Sequence, residues 1–233
     1  MAAEHDGSSL ASSLTDLMTS LAVIFILLLV AMLNNQRQQA AETRNLVVSR
    51  LQAALEKFKQ QGVEVKSDPT DPLVLLVIVP EDLLKFERGK SNIPATGYEF
   101  LGTFAPKFVS TACSTDIRQG ISSIVVEGHA SSEGSESDNL SLSQRRSMAV
   151  IQQSLAVLDS SKRPDATEDH KCFVSLISAT GRGSAEPVYV NGEEDRPHSR
   201  RVVFKIRIKS LEERKEIVTQ VGINNLEQLH TSL

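Results

Sequence analysis

The chain has 233 residues, which is enough for one sizeable hydrophobic core but not comfortably for two full domains. Its formal net charge is −4, and the sequence has no basic stripe that could neutralise phosphates. This argues against nucleic acid as the main partner. Tryptophan is absent and aromatic residues make up only 4%, so stacking platforms for bases or sugars are not expected. Histidines are few and the two cysteines are far apart, so the sequence predicts no metal site, no cofactor and no metal enzyme.

An apolar run near the N-terminus, residues 14–33, is long enough to cross a bilayer as a helix. It reaches that length only if Asp16, Thr19 and Ser20 are counted inside it. A cleaved signal peptide would need a basic leader and a small-residue cleavage site. The leader at 1–13 contains no Lys or Arg, and the run is followed by Asn-Asn-Gln-Arg. The sequence therefore favours a retained transmembrane helix.

Helical spacing places Asp16, Thr19 and Ser20 on one face of this helix. A carboxylate at membrane depth is costly and tends to face protein or water. The polar pair beside Asp16 favours a lined ion-conducting pore. The alternative is that Asp16 lies at the level of the lipid headgroups and caps the start of the helix.

Residues 34–66 form a predicted helical linker, because this segment is rich in Gln, Ala, Glu, Arg and Leu. The helix within the linker is expected to end at Gly62. Its apolar residues follow a 3-4-3 spacing, namely Val48, Leu51, Leu55 and Phe58. Two copies of such a helix could pair along this seam. The helix could equally pack on its own domain, and the sequence leaves both interpretations open.

The segment 67–210 alternates apolar runs with amphipathic stretches in the order strand, helix, strand, helix, strand, strand. The predicted elements are Leu73–Val79, Ala95–Cys113, Ile121–Glu127, Asn139–Leu158, Phe173–Ser178 and Arg201–Ile208. This order predicts an α+β fold in which helices cover a mixed sheet. A charged helical tail is expected at 211–233.

Small polar residues dominate the loop that follows the second predicted strand, and Arg145 and Arg146 come soon after it. Cations in the first turns of a helix gain nothing from its dipole, which indicates an acidic ligand. A planar guanidinium suits a carboxylate because it donates two parallel hydrogen bonds. The alternative is that both arginines are solvated or paired with acidic residues of the same loop.

A set of motifs between residues 73 and 208 resembles the OmpA-like peptidoglycan-binding domain. They are Phe86-Glu-Arg-Gly89, Ile93-Pro94, Gly128-His129, Gly134, Asn139, Leu142-Ser143, Arg145-Arg146, Gly181-Arg-Gly183, Pro187 and Arg200-Arg201-Val202. The resemblance implies a βαβαββ domain that holds the diaminopimelate of a wall stem peptide. It implies that Arg146 takes the ligand carboxylate, that Asn139 and Leu142 lie on the same binding helix, and that His129 lies in the binding loop.

The sequence departs from this family at Ser131, where an aspartate usually pairs with the ammonium group of the ligand. We expect Glu133 or Asp138 to supply the missing charge, or the site to prefer a modified stem peptide. The resemblance also implies an oxidising periplasm, where Cys113 and Cys172 could form a disulfide. Basic residues after the membrane helix oppose this topology by the positive-inside rule, but long domains translocate largely regardless of charge. The expected orientation is therefore N-terminus in the cytoplasm and bulk of the chain outside.

An acidic membrane helix joined to such a domain resembles the MotB class of stator subunits. This resemblance implies a homodimer inside a pentamer of a MotA-like membrane subunit, with Asp16 as the proton-carrying carboxylate. The short acidic leader and the run Thr15-Asp-Leu-Met-Thr-Ser-Leu21 are more similar to the B subunits of Zorya anti-phage defence systems than to flagellar stators. A flagellar subunit and a passive wall tether without ion conduction remain the alternatives. An enzyme is not expected, because the sequence contains no recognisable Ser-His-Asp or Cys-His constellation.

Overall fold

The structure is a computed structural model, and it describes residues 5–210 of the chain. The start of the leader and the expected helical tail at 211–233 lie outside the described residues. The chain divides into two compact units, the first ending at Glu42 and the second beginning at Thr43.

Helix α1, His5–Lys59, begins in the first unit and continues into the second. Its stretch Ser13–Asn35 has a mean hydropathy of 2.5, and its side chains are exposed. Among the described residues, this is the one helical stretch long and apolar enough to cross a membrane. The predicted span at 14–33 lies within it.

The second unit contains a five-stranded sheet, a two-stranded hairpin and five further α-helices within the described range. In chain order they are β1 (Glu64–Ser67), β2 (Val74–Pro80), α2 (Glu81–Leu84), α3 (Ala95–Ala112), β3 (Ile121–His129), α4 (Glu136–Ser160), α5 (Ala166–Leu176), β4 (Ile177–Gly183), β5 (Tyr189–Val190), β6 (Glu193–Glu194), α6 (Arg196–Ser199) and β7 (Arg201–Ile208). The strand order of the large sheet is β1-β2-β7-β3-β4. Strands β3 and β4 are parallel and the other pairs are antiparallel, which confirms the mixed sheet and the α+β class.

Alternation along the strands divides the sheet into a core face and an open face. On β2, Leu75, Val77 and Val79 are buried, whereas the residues between them are only partly buried. Because successive side chains of a strand point to opposite faces, the buried set contacts the helices. Five phenylalanines from α1, α3, α5 and β7 meet in this core: Phe58, Phe104, Phe108, Phe173 and Phe204.

The end of α1 packs on its own domain. Leu51, Leu55 and Phe58 are only 0%, 2% and 1% exposed, and the Phe58 ring lies edge-on to Phe104 at 5.4 Å. Burial of these side chains within one chain favours the second interpretation of the linker, in which the helix packs on its own domain. The predicted boundary at residue 67 is also wrong, because β1 pairs with β2 in the large sheet.

The expected strand at Phe173–Ser178 is wrong in its first four residues. Residues Ala166–Leu176 form helix α5, and the strand begins only at Ile177. A short apolar run does not distinguish a buried strand from a buried helix, which explains the error. Cys172 therefore lies on a helix, and a disulfide joins it to Cys113 at the end of α3 with a Cα–Cα distance of 6.1 Å.

Two glycines let helix α4 lie directly on the sheet. Gly128 on β3 and Gly181 on β4 are paired neighbours. A Cβ atom at Gly128 would lie 2.1 Å from the carbonyl oxygen of Ser143, and one at Gly181 would lie 2.5 Å from the amide nitrogen of Gln144. Since real Cβ atoms do not approach so closely, this contact needs glycine. It brings the first turns of α4 to the carboxyl end of β3.

Candidate functional site

An open cleft of about 700 Å³ lies where β3 ends and α4 begins. Its walls come from the segment around α2, the loop after β3, the first turns of α4 and the start of β7. The lining residues are Glu81, Phe86, Arg88, Gly89, Ala130, Ser131, Glu133, Gly134, Asp138, Asn139, Ser141, Leu142, Arg145, Arg146 and Arg200. Of the six residues that the sequence assigns to ligand binding, five line this cleft, and His129 does not.

Asn139 holds the loop after β3 in place. Its side-chain amide donates to the carbonyl oxygen of Ser131 at 3.1 Å and to that of Glu133 at 2.9 Å. Both amide hydrogens are thereby used inside the protein, since a side-chain amide has two donors. Asn139 therefore shapes the cleft by fixing the loop, and only its oxygen remains for another contact.

Ser135 and Asp138 form the cap of helix α4. The Ser135 hydroxyl accepts from the backbone N–H of Asp138 at 3.1 Å and donates to the carboxylate of Asp138 at 2.7 Å. A side-chain oxygen at this position satisfies one of the unpaired amides that begin every helix. The Asp138 carboxylate also lies in the first turn, where the helix dipole stabilises negative charge. It is exposed, so it can still face a ligand.

Arg146 is buried and joins three segments of the chain. Its guanidinium donates to Glu81 at 3.0 Å, to the carbonyl oxygen of Lys90 at 3.0 Å and to that of Glu87 at 3.2 Å. Its plane lies 4.8 Å from the centre of the Phe86 ring. Burial lowers the pKa of Arg146 below its usual value, and the Glu81 carboxylate opposes that shift. A guanidinium has five N–H donors, so two remain beyond these three bonds.

Glu81 is the acidic partner that sequence reasoning missed. Its second carboxylate oxygen accepts from the Nε of Arg200, so one carboxylate links Arg146 on α4 to the residue before β7. The acidic partners considered from sequence all lay in the loop beside Arg146. Glu81 is 65 positions away along the chain, and no local pattern signals such a pair.

Arg88 and Arg145 are the two exposed arginines of the cleft. Arg145 donates to the hydroxyl of Ser141 at 2.6 Å. Within residues 5–210, no carboxylate lies within ion-pair distance of either guanidinium. These two side chains can therefore bind an anion without first breaking an internal ion pair.

Ser131 lies buried at the base of the cleft. The two acids expected to compensate for it also line the cleft but have partners of their own. Glu133 accepts from Arg196 at 3.0 Å, and Asp138 accepts from its capping serine. Both carboxylates are exposed, so their negative charge is accessible from the cleft.

His129 does not line the cleft, so its assignment to ligand binding stays a prediction. Gly128 faces α4, and because side chains alternate along a strand His129 points to the open face of the sheet. There it lies between the carboxylates of Glu127 and Glu186, at 3.6 Å and 4.0 Å. Burial lowers the pKa of His129 below its ordinary value, which favours the neutral imidazole.

The apolar stretch of α1 carries the second candidate site. Asp16, Thr19 and Ser20 lie on one face and are exposed in the single chain. The Thr19 hydroxyl is within 2.9 Å of the backbone carbonyl oxygens of both Thr15 and Asp16. Its proton therefore stays with its own helix, and its oxygen can accept a hydrogen bond from outside. An acidic group and a hydroxyl acceptor together suit a path for protons or cations.

Two known proteins are similar to this chain over most of its length. Over 83% of its length the chain is 24% identical to the Zorya protein ZorB of Escherichia coli strain ATCC 8739, covering 86% of that protein. A second Zorya protein ZorB, from E. coli O139:H28, is 26% identical over 90% of this chain and 84% of its own. These relatives confirm the resemblance to Zorya B subunits that the sequence suggested.

The fold also matches a solved structure. The crystal structure of a protein described as MotB-like from Desulfovibrio vulgaris covers 74% of this chain and 95% of its own, with a TM-score of 0.51 and 19% identity. The family model described as the OmpA family matches residues 85–201, just over half of the chain. That range contains most of the cleft, from Phe86 through the start of α4 to Arg200. The chain therefore belongs to the OmpA family.

Proposed function

We propose that this chain is the peptidoglycan-anchored B subunit of a proton-driven, MotAB-like membrane motor that acts in anti-phage defence. The observation that supports it best is the pairing of two features in one chain: an apolar helix with an aspartate on a polar face, and an OmpA-family domain. The Zorya relatives cover more than four-fifths of the chain. The role is mechanical and ion-conducting rather than enzymatic.

In this proposal the helix around Asp16 crosses the inner membrane, with the leader in the cytoplasm and the OmpA-family domain in the periplasm. Two copies pair inside a ring of MotA-like subunits, which we take to be a pentamer. Asp16 accepts and releases the transported proton, and Thr19 and Ser20 supply oxygen atoms beside it. A protein-lined environment is the setting in which a membrane carboxylate is tolerated.

The cleft anchors the motor to the cell wall in this proposal. A stem-peptide carboxylate is held by the two remaining N–H donors of Arg146 together with Arg145, and Leu142 contacts the aliphatic part of the ligand. Glu133 and Asp138 face its ammonium group in place of the aspartate that Ser131 replaces. Hydrogen bonds to charged groups contribute about 1.5–3 kcal/mol each, enough for a cleft with few contacts to hold its ligand.

The motor role is tested by phage protection with flagellar motility measured beside it, using Asp16→Asn expressed with the neighbouring genes. We expect lost protection at normal protein level, because the amide cannot carry a proton. Glu42→Gln is the matched control, since it removes an exposed carboxylate of the same helix outside the apolar stretch. Retained protection in Asp16→Asn would leave the passive tether as the function. A defect in motility alone would indicate a flagellar stator.

Wall binding is tested separately by sedimentation of the full-length protein in detergent with purified peptidoglycan sacculi. Arg145→Ala should weaken the affinity for sacculi about tenfold or more, because it removes a charge-assisted contact. Arg118→Ala makes the same change of charge on an exposed residue that does not line the cleft. Equal binding by both variants would contradict the assigned cleft.

The variant Ser131→Asp tests which carboxylates contact the ammonium group of the ligand. If Glu133 and Asp138 have taken over the ammonium contact, the native protein should bind sacculi more strongly than Ser131→Asp. A carboxylate added at this buried position would also need a counter-charge in the free protein. Stronger binding by Ser131→Asp would show that the site still follows the usual family arrangement.

A further inference from the structure

A group of three side chains on the open face of the sheet has no role in the proposed wall-binding cleft. Glu127 and His129 lie on β3, and Glu186 lies in the segment between β4 and β5. One ligand atom from each residue lies within 4.8 Å of the other two. We propose that Glu127, His129 and Glu186 form a binding site for one divalent transition-metal ion, of which Zn²⁺ is the best-suited example.

The imidazole of His129 is buried with unsatisfied ring nitrogens. Its side chain is only 1% exposed, and among the described residues neither Nδ1 nor Nε2 has a hydrogen-bond partner. A neutral imidazole has one donor and one acceptor nitrogen, whereas both neighbouring carboxylates can only accept. Both ring nitrogens face carboxylate oxygens at distances too long for a hydrogen bond, and a metal cation bound between a ring nitrogen and a carboxylate would satisfy both groups.

The distances fit a small metal ion. Nε2 of His129 is 3.6 Å from Oε2 of Glu127. Two ligands of a tetrahedral zinc ion with bonds of about 2.0–2.1 Å lie about 3.4 Å apart. Glu186 lies nearer the other ring nitrogen, with its Oε2 4.0 Å from Nδ1 and its Oε1 on Arg182. One ligand atom from each residue still lies within 4.8 Å of the other two, so the partly exposed Glu186 side chain has to turn toward the Nε2 side to complete the set. Nitrogen and carboxylate donors in this combination suit Zn²⁺ and similar ions rather than Ca²⁺ or Mg²⁺.

Three cations surround the group, and one of them competes with the metal. Lys205 lies 2.9 Å from Oε2 of Glu127, and its partly exposed chain can move into solvent. Arg182 binds Glu186 from the outer side, and Arg201 donates to backbone carbonyls that include that of Glu186. A metal ion that binds here therefore replaces the ammonium group of Lys205 at Glu127.

An entry path exists because the group opens onto the groove of the open sheet face. Both His129 and Glu186 line this groove, together with Lys205. The Glu186 side chain is 40% exposed, so a hydrated ion meets this carboxylate first and then reaches the buried pair on β3. A metal bound here would fix the Glu186 segment to the sheet.

The test uses the full-length protein in detergent, stripped of metal with EDTA and dialysed, and titrated with Zn²⁺ against a chelating dye. We expect one Zn²⁺ per chain. Glu186→Gln and His129→Gln should weaken binding by more than the roughly 10–100-fold typical for loss of an outer-shell partner. His198→Gln is the matched control, because this exposed histidine also lies beside a carboxylate, that of Asp195 at 2.7 Å.

Lys205→Met separates this site from adventitious binding. Removing the competing ammonium should raise the Zn²⁺ affinity. Equal or lower affinity would contradict the inference that Lys205 and the metal compete for the same oxygen of Glu127. The proposal is overturned if wild type binds no Zn²⁺, or if Glu186→Gln binds as tightly as wild type. It is also overturned if only His198→Gln loses binding. Since Glu186 is partly exposed, its variant remains informative even if His129→Gln fails to fold.

Discussion

Phe58→Ala tests whether the end of α1 is a structural part of the OmpA-family domain. The side chain is 1% exposed and contacts the rings of Phe100 and Phe104 edge-on, at 6.0 Å and 5.4 Å. Removing a buried phenylalanine costs about 3–5 kcal/mol, and its aromatic contacts place this site in the upper half of that range. Alanine's better helix propensity returns about 0.5 kcal/mol. The net expected loss in free energy of unfolding is about 4 kcal/mol.

The assay is pulse proteolysis of the full-length protein in detergent across a urea series, which reports the folded fraction of the domain. With a urea dependence of about 2 kcal/mol per molar, the midpoint should fall by about 2 M. Leu46→Ala is the control, because this leucine of the same helix is 39% exposed. Its effect should stay within about 0.5 kcal/mol.

Two results would refute the reasoning. A loss below about 1 kcal/mol for Phe58→Ala would mean that the helix end does not pack in the core as described. A midpoint that rises with protein concentration in wild type but not in the variant would place Phe58 in a contact between chains. That second result would restore the dimer seam that the burial of this side chain argues against.

Three further outcomes are expected from the domain. Cys172→Ser opens the loop closed by the bond to Cys113 and should lower the free energy of unfolding by about 4 kcal/mol, measured against wild type with and without reductant. Gly128→Ala should cost more than 2 kcal/mol because its Cβ meets a backbone oxygen of α4, whereas Gly102→Ala, with open space around it, should stabilise the helix slightly; urea midpoints compare the two. Asn139→Ala should speed amide hydrogen exchange in the loop after β3 while the global midpoint changes little, and slow exchange there would contradict its positioning role.

The parts of this fold that could be predicted are those that have a local sequence pattern. The long apolar helix, the strand at Arg201–Ile208 and the helix–strand order follow from periodicity, and the structure confirms them. The error at Phe173–Ser178 arose because a six-residue run fits a helix or a strand equally well. The short elements β5, β6 and α6 were missed because pairs of residues carry too little periodicity to identify.

The candidate site was likewise predictable only where its residues lie close together in the sequence. Motif residues such as Asn139 and Arg146 could be assigned to the cleft because they lie within one loop and one helix. Their partners could not, since Glu81 lies 65 positions from Arg146 along the chain and meets it only in the folded protein. The motif that contains His129 could not show that this side chain lies outside the cleft, because a motif gives proximity in the sequence and not the face of the strand. Arg88 lies in the Phe86-Glu-Arg-Gly89 motif, but the motif alone did not assign it to ligand binding.

The segment between β4 and β7 links the cleft to the proposed metal site. Glu194 on β6 accepts from the backbone N–H of Ser132 at 2.9 Å, and Arg196 donates to Glu133, so this segment supports the cleft loop from the side. The same segment carries Glu186. A metal that fixes Glu186 to the sheet therefore restricts the segment that holds the loop. When one ligand has already ordered this segment, the second ligand loses less conformational entropy on binding. Zn²⁺ and a wall peptide are therefore expected to favour each other's binding.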